Sequence, residues 1–399
     1  MKKGLSRRVR DLKPSPTLAV NAKAKALRAK GVDLVNLSAG EPDFDTPEFI
    51  KEAACKAIEE GFTRYTPVPG IPELREAIAQ KIKAHYGLSY TPDSVLVTSG
   101  GKQAIFNAVA ALVEEEDEVI ILSPYWVSYP PIVEICGGRP VVVNTSEEKG
   151  FEPSLSAVAE AVSPRTKMII INSPSNPTGV VLSPEFLKGV AHLALEHDFY
   201  ILTDDIYDLI RFDGRAPFNV VSLEPKVMDR TLIVNGVSKT YAMTGWRLGW
   251  LVGPEELVKA ASRIQSQSTS NACSISQKAA LAALLGPQDS LKEMVKVFRR
   301  RRDLMVSLLL EIPEISCLVP MGSFYMFPNF SAYYGRQAGG QVIDGSLAMA
   351  DYLLEEARVA CVPGVAFGED TCIRLSFATS EEEIEKGITR IKEALAKLS

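Results

Sequence analysis

The sequence is poor in the residues from which metal centres and disulfide frameworks are built. Its six cysteines (Cys55, Cys136, Cys273, Cys317, Cys361 and Cys372) are scattered, with no C-x-x-C pair among them. Free, mostly buried thiols are the expectation, and no metal site is assigned. Only three histidines occur; His192 and His197 are five apart, which on a helix sets them about 140° from one another, so they share no ligand face. Long apolar runs are lacking too. The longest, such as Met168 to Ile171, are strand-length, far short of the roughly 20 residues that cross a membrane as a helix. The basic start (Lys2, Lys3, Arg7, Arg8, Arg10) is not followed by the apolar stretch and cleavage site of a secretory signal, so a cytoplasmic protein is expected. Positive charge is not in excess either. A formal net charge of -5 and a pI near 5.6 argue against a nucleic-acid partner, which needs a basic field. The run Arg299 to Arg302 sits in the helical pattern Leu291, Met294, Val295, Phe298, Leu304, Met305 and reads as a solvated or domain-bridging helix face.

What is present is an ordinary globular composition in a chain of 399 residues, 46% hydrophobic and 23% charged. That length exceeds what one hydrophobic core usually supports, so two domains are expected. Short apolar runs at Ser94–Thr98, Glu118–Leu122, Pro140–Asn144, Lys167–Asn172, Phe199–Thr203, Thr231–Asn235 and Leu248–Val252 alternate with helix-length segments such as Lys102–Val113 and Glu185–His197. The pattern predicts an α/β fold whose mostly parallel sheet is covered by helices on both faces. After Gly286 it changes to a long basic helix and shorter strands, a smaller α+β domain. The expected division is an N-terminal arm over 1–16, a small domain from 17–47 and 290–399, and a large domain over 48–289.

In an open α/β sheet the ligand crevice lies outside the carboxyl ends of the strands. Following the expected strands are Ser99-Gly100-Gly101-Lys102, then Ser123-Pro124-Tyr125-Trp126, then Ser173 to Gly179 with Asn176, then Asp204-Asp205 with Tyr207, then Ser238-Lys239 with Arg247 eight residues on. One rim thus collects an anion nest, an aromatic plate, an amide, a carboxylate, a phenol, a lysine and an arginine. That inventory matches the needs of pyridoxal phosphate (PLP). Glycines at a helix start present N–H groups to a phosphate, and Arg247 could hold it bidentately. Asp204 could keep a pyridine nitrogen protonated; Tyr207 and Asn176 could bond the ring oxygen and Trp126 stack on its face. Each has a plainer reading. Asn176 could be a turn residue before Pro177, Trp126 core packing, Tyr207 a half-buried helix residue, and one of Asp204 and Asp205 a helix cap.

The segments Ser173-Pro-Ser-Asn-Pro-Thr-Gly179 and Ser238-Lys-Thr-Tyr-Ala-Met-Thr-Gly-Trp-Arg-Leu-Gly-Trp250, with Ala39 to Pro47 and Cys372 to Ser380, resemble the class I aminotransferases of PLP fold type I, in the bacterial branch Ib. The resemblance implies that Lys239 carries the cofactor, that Asp204 pairs with its ring nitrogen, and that Asn176 and Tyr207 bind its ring oxygen. It implies Trp126 on the ring face, and Gly101, Lys102, Ser238 and Arg247 around the phosphate. Tyr65 would reach the cofactor of a neighbouring subunit, implying a homodimer with shared sites. Arg374 would clamp the substrate α-carboxylate beside Gly40, Trp126 and Asn176, with Lys102 near a distal carboxylate and Lys13 linked to prephenate. Many relatives carry a serine three residues before the lysine; here it is Gly236.

The implied activity exchanges amino groups between aspartate or glutamate and 2-oxo acids such as 2-oxoglutarate and oxaloacetate, with prephenate a further acceptor. Lys239 would serve as general base at the substrate α-carbon. A β-lyase of cysteine conjugates shares the scaffold and is the rival within the site. A PLP-sensing regulator is the rival of another class; it needs a helix-turn-helix module, and a short basic arm is all that precedes residue 20.

Overall fold

The computed structural model describes residues 30–399 continuously and, before them, Gly4, Ser6, Arg10, Leu12, Val20, Ala22, Ala24, Ala26, Leu27 and Ala29. Lys13 and most of the expected arm lie outside the described residues. A short strand β1 (Val35–Asn36) is followed by helices α1 (Glu48–Glu59) and α2 (Pro72–Tyr86). Then come β2 (Val95–Thr98), α3 (Gly101–Leu112), β3 (Glu118–Leu122), α4 (Tyr129–Ile135), β4 (Arg139–Val143), α5 (Leu155–Ala161) and β5 (Thr166–Asn172). The alternation continues through α6 (Pro184–Glu196), β6 (Tyr200–Asp204), α7 (Val220–Leu223), β7 (Thr231–Gly236), β8 (Gly249–Val252), α8 (Glu255–Ser268) and α9 (Ser274–Leu285).

Strands β2 to β8 form one seven-stranded sheet in the order β2-β8-β7-β6-β5-β3-β4. Both faces are covered, which is why the strands read as unbroken apolar runs. Along β2, Val95 and Val97 face the core shared with α2 and α6, while Leu96 faces the core shared with α3 and α8. Only β8 runs antiparallel to its neighbours, because the chain returns from β7 through a compact turn without the crossover helix that parallel pairing needs. From β3 the chain moves to β4 at one edge, whereas from β5 it moves through β6 to β7 in the other direction. The carboxyl ends of β3 and β5 therefore flank a topological switch point.

The later chain builds a second core from α10 (Asp289–Leu310), β9 (Tyr325–Met326), the hairpin β10–β11 (Gln337–Ala338, Gln341–Val342), α11 (Ser346–Glu355), β12 (Val359–Ala360), β13 (Val362–Pro363), β14 (Ile373–Ser376) and α12 (Glu381–Leu395). β1 pairs with β12, so Val35 and Leu37 join Phe298, Phe324, Leu375 and Ile388 in that core. The α12 helix starts on Ser380, which caps Glu383 N–H, with Glu381 to Glu383 in its first turn, an arrangement the helix dipole favours. One local expectation fails. No helix starts directly after β6, and neither Asp204 nor Asp205 is a cap; residues 206–209 are turns, and Tyr207 and Ile210 are drawn into the second core. Among the described residues no helix is long and apolar enough to cross a membrane.

Candidate active site

The carboxyl ends of the central strands open into a cleft of about 380 Å³. Its walls include Gly40, Gly101, Lys102, Trp126, Asn176, Asp204, Tyr207, Ser238, Lys239, Arg247 and Arg374. Tyr65 stands outside it, 91% exposed. The site therefore assembles from loops after β2, β3, β5, β6 and β7, together with the segment after β1 and strand β14.

One end is shaped for an anion. Helix α3 begins at Gly100, whose φ of 89° suits glycine, and no side chain caps it, leaving its first N–H groups and the positive end of its dipole open. Arg247 lies so close that a Cβ on Gly100 would stand 2.7 Å from its Nη2. Lys102 Nζ lies 4.8 Å from the Trp126 ring centre, and burial, then Arg247, lowers its pKa. Glycine at 249 is required by the same approach: a Cβ there would stand 2.5 Å from Gly101 N and 2.7 Å from Gly100 C. Gly236 packs against it in turn, with room for a Cβ only at 3.0 Å from Gly249 Cα and Leu248 O.

The floor is polar and fully buried. At the start of α4, Tyr129 donates its hydroxyl to Asp204 Oδ2 at 2.7 Å. Asn172, ending β5, donates to the Asp204 carbonyl at 2.7 Å and accepts from Asn176 N–H at 2.8 Å, so one side chain ties the loop beyond β5 to the end of β6. Burial pushes Asp204 up to about 6, opposed by Tyr129, the Ile206 N–H and Lys239. Asp205 turns away, accepting from Tyr86 Oη at 3.2 Å and Asn219 Nδ2 at 3.2 Å; burial and then neighbouring Asp208 hold it well above the usual carboxylate range. The Tyr207 and Tyr325 hydroxyls meet at 3.2 Å, and burial keeps Tyr207 a protonated phenol. The Trp126 ring stands edge-on to Tyr129 at 5.3 Å.

Beside this floor lie two basic groups, Lys239 half-buried and Arg374 buried. Lys239 Nζ donates to Gly40 O at 2.5 Å; burial pulls its pKa down to about 8, with Glu41 opposing and Arg374 and Arg247 reinforcing. Arg374, from the middle of β14, is 2% exposed. It donates to Asn176 Oδ1 at 3.1 Å and Ser38 O at 3.0 Å, and its Nε is buried without a partner. The rings of Tyr325 and Phe367 flank it at 4.3 and 5.1 Å. Among the described residues no carboxylate lies within ion-pair distance of it. A buried cation held only by neutral groups is an expensive arrangement, and an entering carboxylate would complete it.

Several residues that line or support the cleft escaped the sequence reading. Tyr129 follows Trp126 by three positions in Ser-Pro-Tyr-Trp-Val-Ser-Tyr, a signal that was there to be used. Tyr325, Ser38 and Glu41 carried none, because β9 and the segment after β1 reach the cleft only through the second core. Asn172 reads as a strand end; its double hydrogen bond depends on β5 lying beside β6.

The sequence profile described as aminotransferase class I and II matches residues 32–391. The chain is 46% identical over 400 residues, all of both chains, to a probable aspartate/prephenate aminotransferase of Aquifex aeolicus. The crystal structure of the aspartate aminotransferase of Rhizobium meliloti superposes with a TM-score of 0.95 at 44% identity, covering 99% of this chain and 100% of that one. That of Thermus thermophilus aspartate aminotransferase with maleate superposes at 0.92 with 46% identity, covering 98% and 100%.

Proposed function

The chain belongs to the class I and II aminotransferases, and on that premise we propose that its cleft binds PLP and exchanges amino groups between aspartate or glutamate and 2-oxo acids. The observation that carries this is the placing of two basic side chains, half-buried Lys239 and buried Arg374, neither ion-paired among the described residues, in one cleft with the buried acid Asp204. The residues present fit the cofactor. The bare start of α3 with Arg247 and Ser238 would take its phosphate, Trp126 its ring face, Asn176 and Tyr207 its ring oxygen, Asp204 its ring nitrogen and Lys239 its aldehyde. When bound, such a group supplies an electron sink for charge developing at the substrate α-carbon.

The chain's own groups do the rest. Arg374 binds the substrate α-carboxylate through its guanidinium, a geometry that fixes the α-carbon's orientation. Lys239 would be the base that moves the α-proton; its value of about 8 leaves a usable neutral fraction at physiological pH. Asp204, ionised beside a positive partner, keeps the ring nitrogen protonated. Lys102 meets the distal carboxylate of aspartate or glutamate. Prephenate presents the same two anionic ends, so it belongs among the oxo acids to be tried; the expected role of Lys13 in its use remains part of this proposal. The same reading divides the chain into the arm 1–16, a small domain of 17–47 with 290–399, and a large domain of 48–289. It also makes the protein a cytoplasmic homodimer in which Tyr65 enters the partner's cleft.

A panel of amino donors and oxo acids with added PLP tests the proposal. Aspartate and glutamate with oxaloacetate and 2-oxoglutarate should outrank neutral pairs, and Lys239→Ala should abolish exchange while keeping the fold. Oxo-acid-independent release of pyruvate and ammonia from a cysteine conjugate would favour the β-lyase instead.

A further inference from the structure

Residues 38–43 cross the cleft as a strap that its two basic groups hold from within. Lys239 Nζ donates to the Gly40 carbonyl at 2.5 Å, and Arg374 Nη2 to the Ser38 carbonyl at 3.0 Å. The same strap is held from outside by α10. Arg301 Nη1 and Nη2 donate to Asp43 Oδ1 and Oδ2 at 2.7 and 2.9 Å, and the guanidinium lies 5.3 Å from the Phe44 ring centre. Within the basic run, Arg300 and Arg302 pair with Glu381 and Asp303, carboxylates that are 44% and 58% exposed. Arg301 is 9% exposed and makes a two-pronged contact across 258 positions of sequence. A planar fork bonded twice fixes orientation as well as distance, which lysine does not.

We propose that Asp43 and Arg301 are positioning residues: by locking the strap to α10 they fix the Ser38 and Gly40 carbonyls against Arg374 and Lys239, and so set the posture of both basic groups. The strap carries no side chain between Ala39 and Glu41 to hold it independently, since residue 40 is glycine. Its other fastenings lie at its two ends and on Glu41: Leu37 N–H donates to Ala360 O at 2.9 Å and Leu37 O accepts from Ser376 N–H at 2.7 Å, Thr46 donates to the Ala242 carbonyl at 2.8 Å, and the Thr244 hydroxyl donates to Glu41 at 2.7 Å. A carbonyl that accepts from the ammonium favours the charged amine. Loosening the strap therefore lowers the proton affinity of Lys239, because the Gly40 contact weakens and Glu41, whose charge also favours the ammonium, moves with it; Asp204, Arg247 and Arg374, the other charged groups that act on it, lie on elements outside the strap. For Arg374 the same slack costs grip on an α-carboxylate.

Two arms test this. The first does not depend on the proposed activity: the full chain, dialysed free of cofactor, is labelled with acetic anhydride across pH, and Lys239 acetylation is read by peptide mass spectrometry. Arg301→Lys and Asp43→Asn should each move the midpoint down by roughly half a unit, with Arg300→Lys unchanged. The second arm rests on the aminotransferase reading. Steady-state kinetics should show KM for aspartate raised roughly tenfold with kcat altered less than about threefold. A lowered Tm with the Lys239 midpoint at its wild-type value in both variants would overturn the proposal, leaving the pair a structural tie. A shifted midpoint in either variant supports positioning even if no transamination is found, in which case the functional reading alone falls.

Discussion

Adjacent carboxyls divide the work at the scale of single residues. Asp204 and Asp205 follow one another at the end of β6, yet the alternation of a strand sends them to opposite sides. Both cost more to ionise in the folded chain than in the unfolded one, because both are buried. The native state therefore holds more protons than the unfolded state once pH passes the unfolded value of about 4, and stability falls as pH rises through that window. For Asp204 the window closes near 6. Asp204→Asn and Asp205→Asn should each flatten the pH dependence of cofactor-free Tm above pH 4. Only Asp204→Asn should lower turnover, by roughly 10³- to 10⁵-fold, or about 4 to 7 kcal/mol of barrier. Tyr129→Phe removes the chief hydrogen bond favouring ionised Asp204, so the Asp204 contribution to the fall in Tm should extend above pH 6, giving a steeper slope there than in wild type. Loss of turnover on substituting Asp205 alone would reverse the assignment.

Helix α3 is the element on which the anion end depends. Its start was legible as Gly100-Gly101-Lys102 after a strand-like run; what the sequence did not reveal is that β8 holds it in place. At Gly249 a Cβ would meet backbone atoms of Gly100 and Gly101, which cannot swing aside as a side chain can. Gly249→Ala should therefore shift α3, cost about 1 to 3 kcal/mol of stability, and weaken PLP uptake measured by absorbance more than it weakens folding. Lys102, in the first turn, opposes the helix dipole and so needs a ligand to justify its place. Lys102→Met should cut kcat/KM for aspartate by roughly 2 to 5 kcal/mol while hardly changing it for alanine or phenylalanine. Equal losses for both classes would assign Lys102 to the phosphate or the fold.

Across the whole molecule, the exposure of Tyr65 is the feature that a single chain leaves unexplained. If it completes the partner's site, chains carrying Tyr65→Ala and chains carrying Lys239→Ala should be poorly active or inactive alone. Mixed and refolded together, they should regain activity, because each hybrid dimer then holds one cleft with both residues. Failure of a verified hybrid to gain activity would confine the site to one chain.

The sequence by itself determined the layered α/β body, since strands covered on both faces must be apolar throughout, and it placed Asp204, Lys239 and Arg247 on one rim, since loops after parallel strands open on the same edge. It read the Arg299–Arg302 run as a solvated or domain-bridging helix face; Arg301 pairs with Asp43 and Arg300 with Glu381. The two neighbouring aspartates are alike as residues and the resemblance alone favoured Asp204; the tertiary structure sets Asp204 in the cleft and turns Asp205 away from it, and it alone decided that residues after β6 join the second core rather than forming a helix. It also brought Ser38 and Tyr325 to Arg374, and Arg374 to Asn176. Those contacts join segments separated by as many as 336 positions, and no local pattern encodes a meeting that the packing of two cores produces.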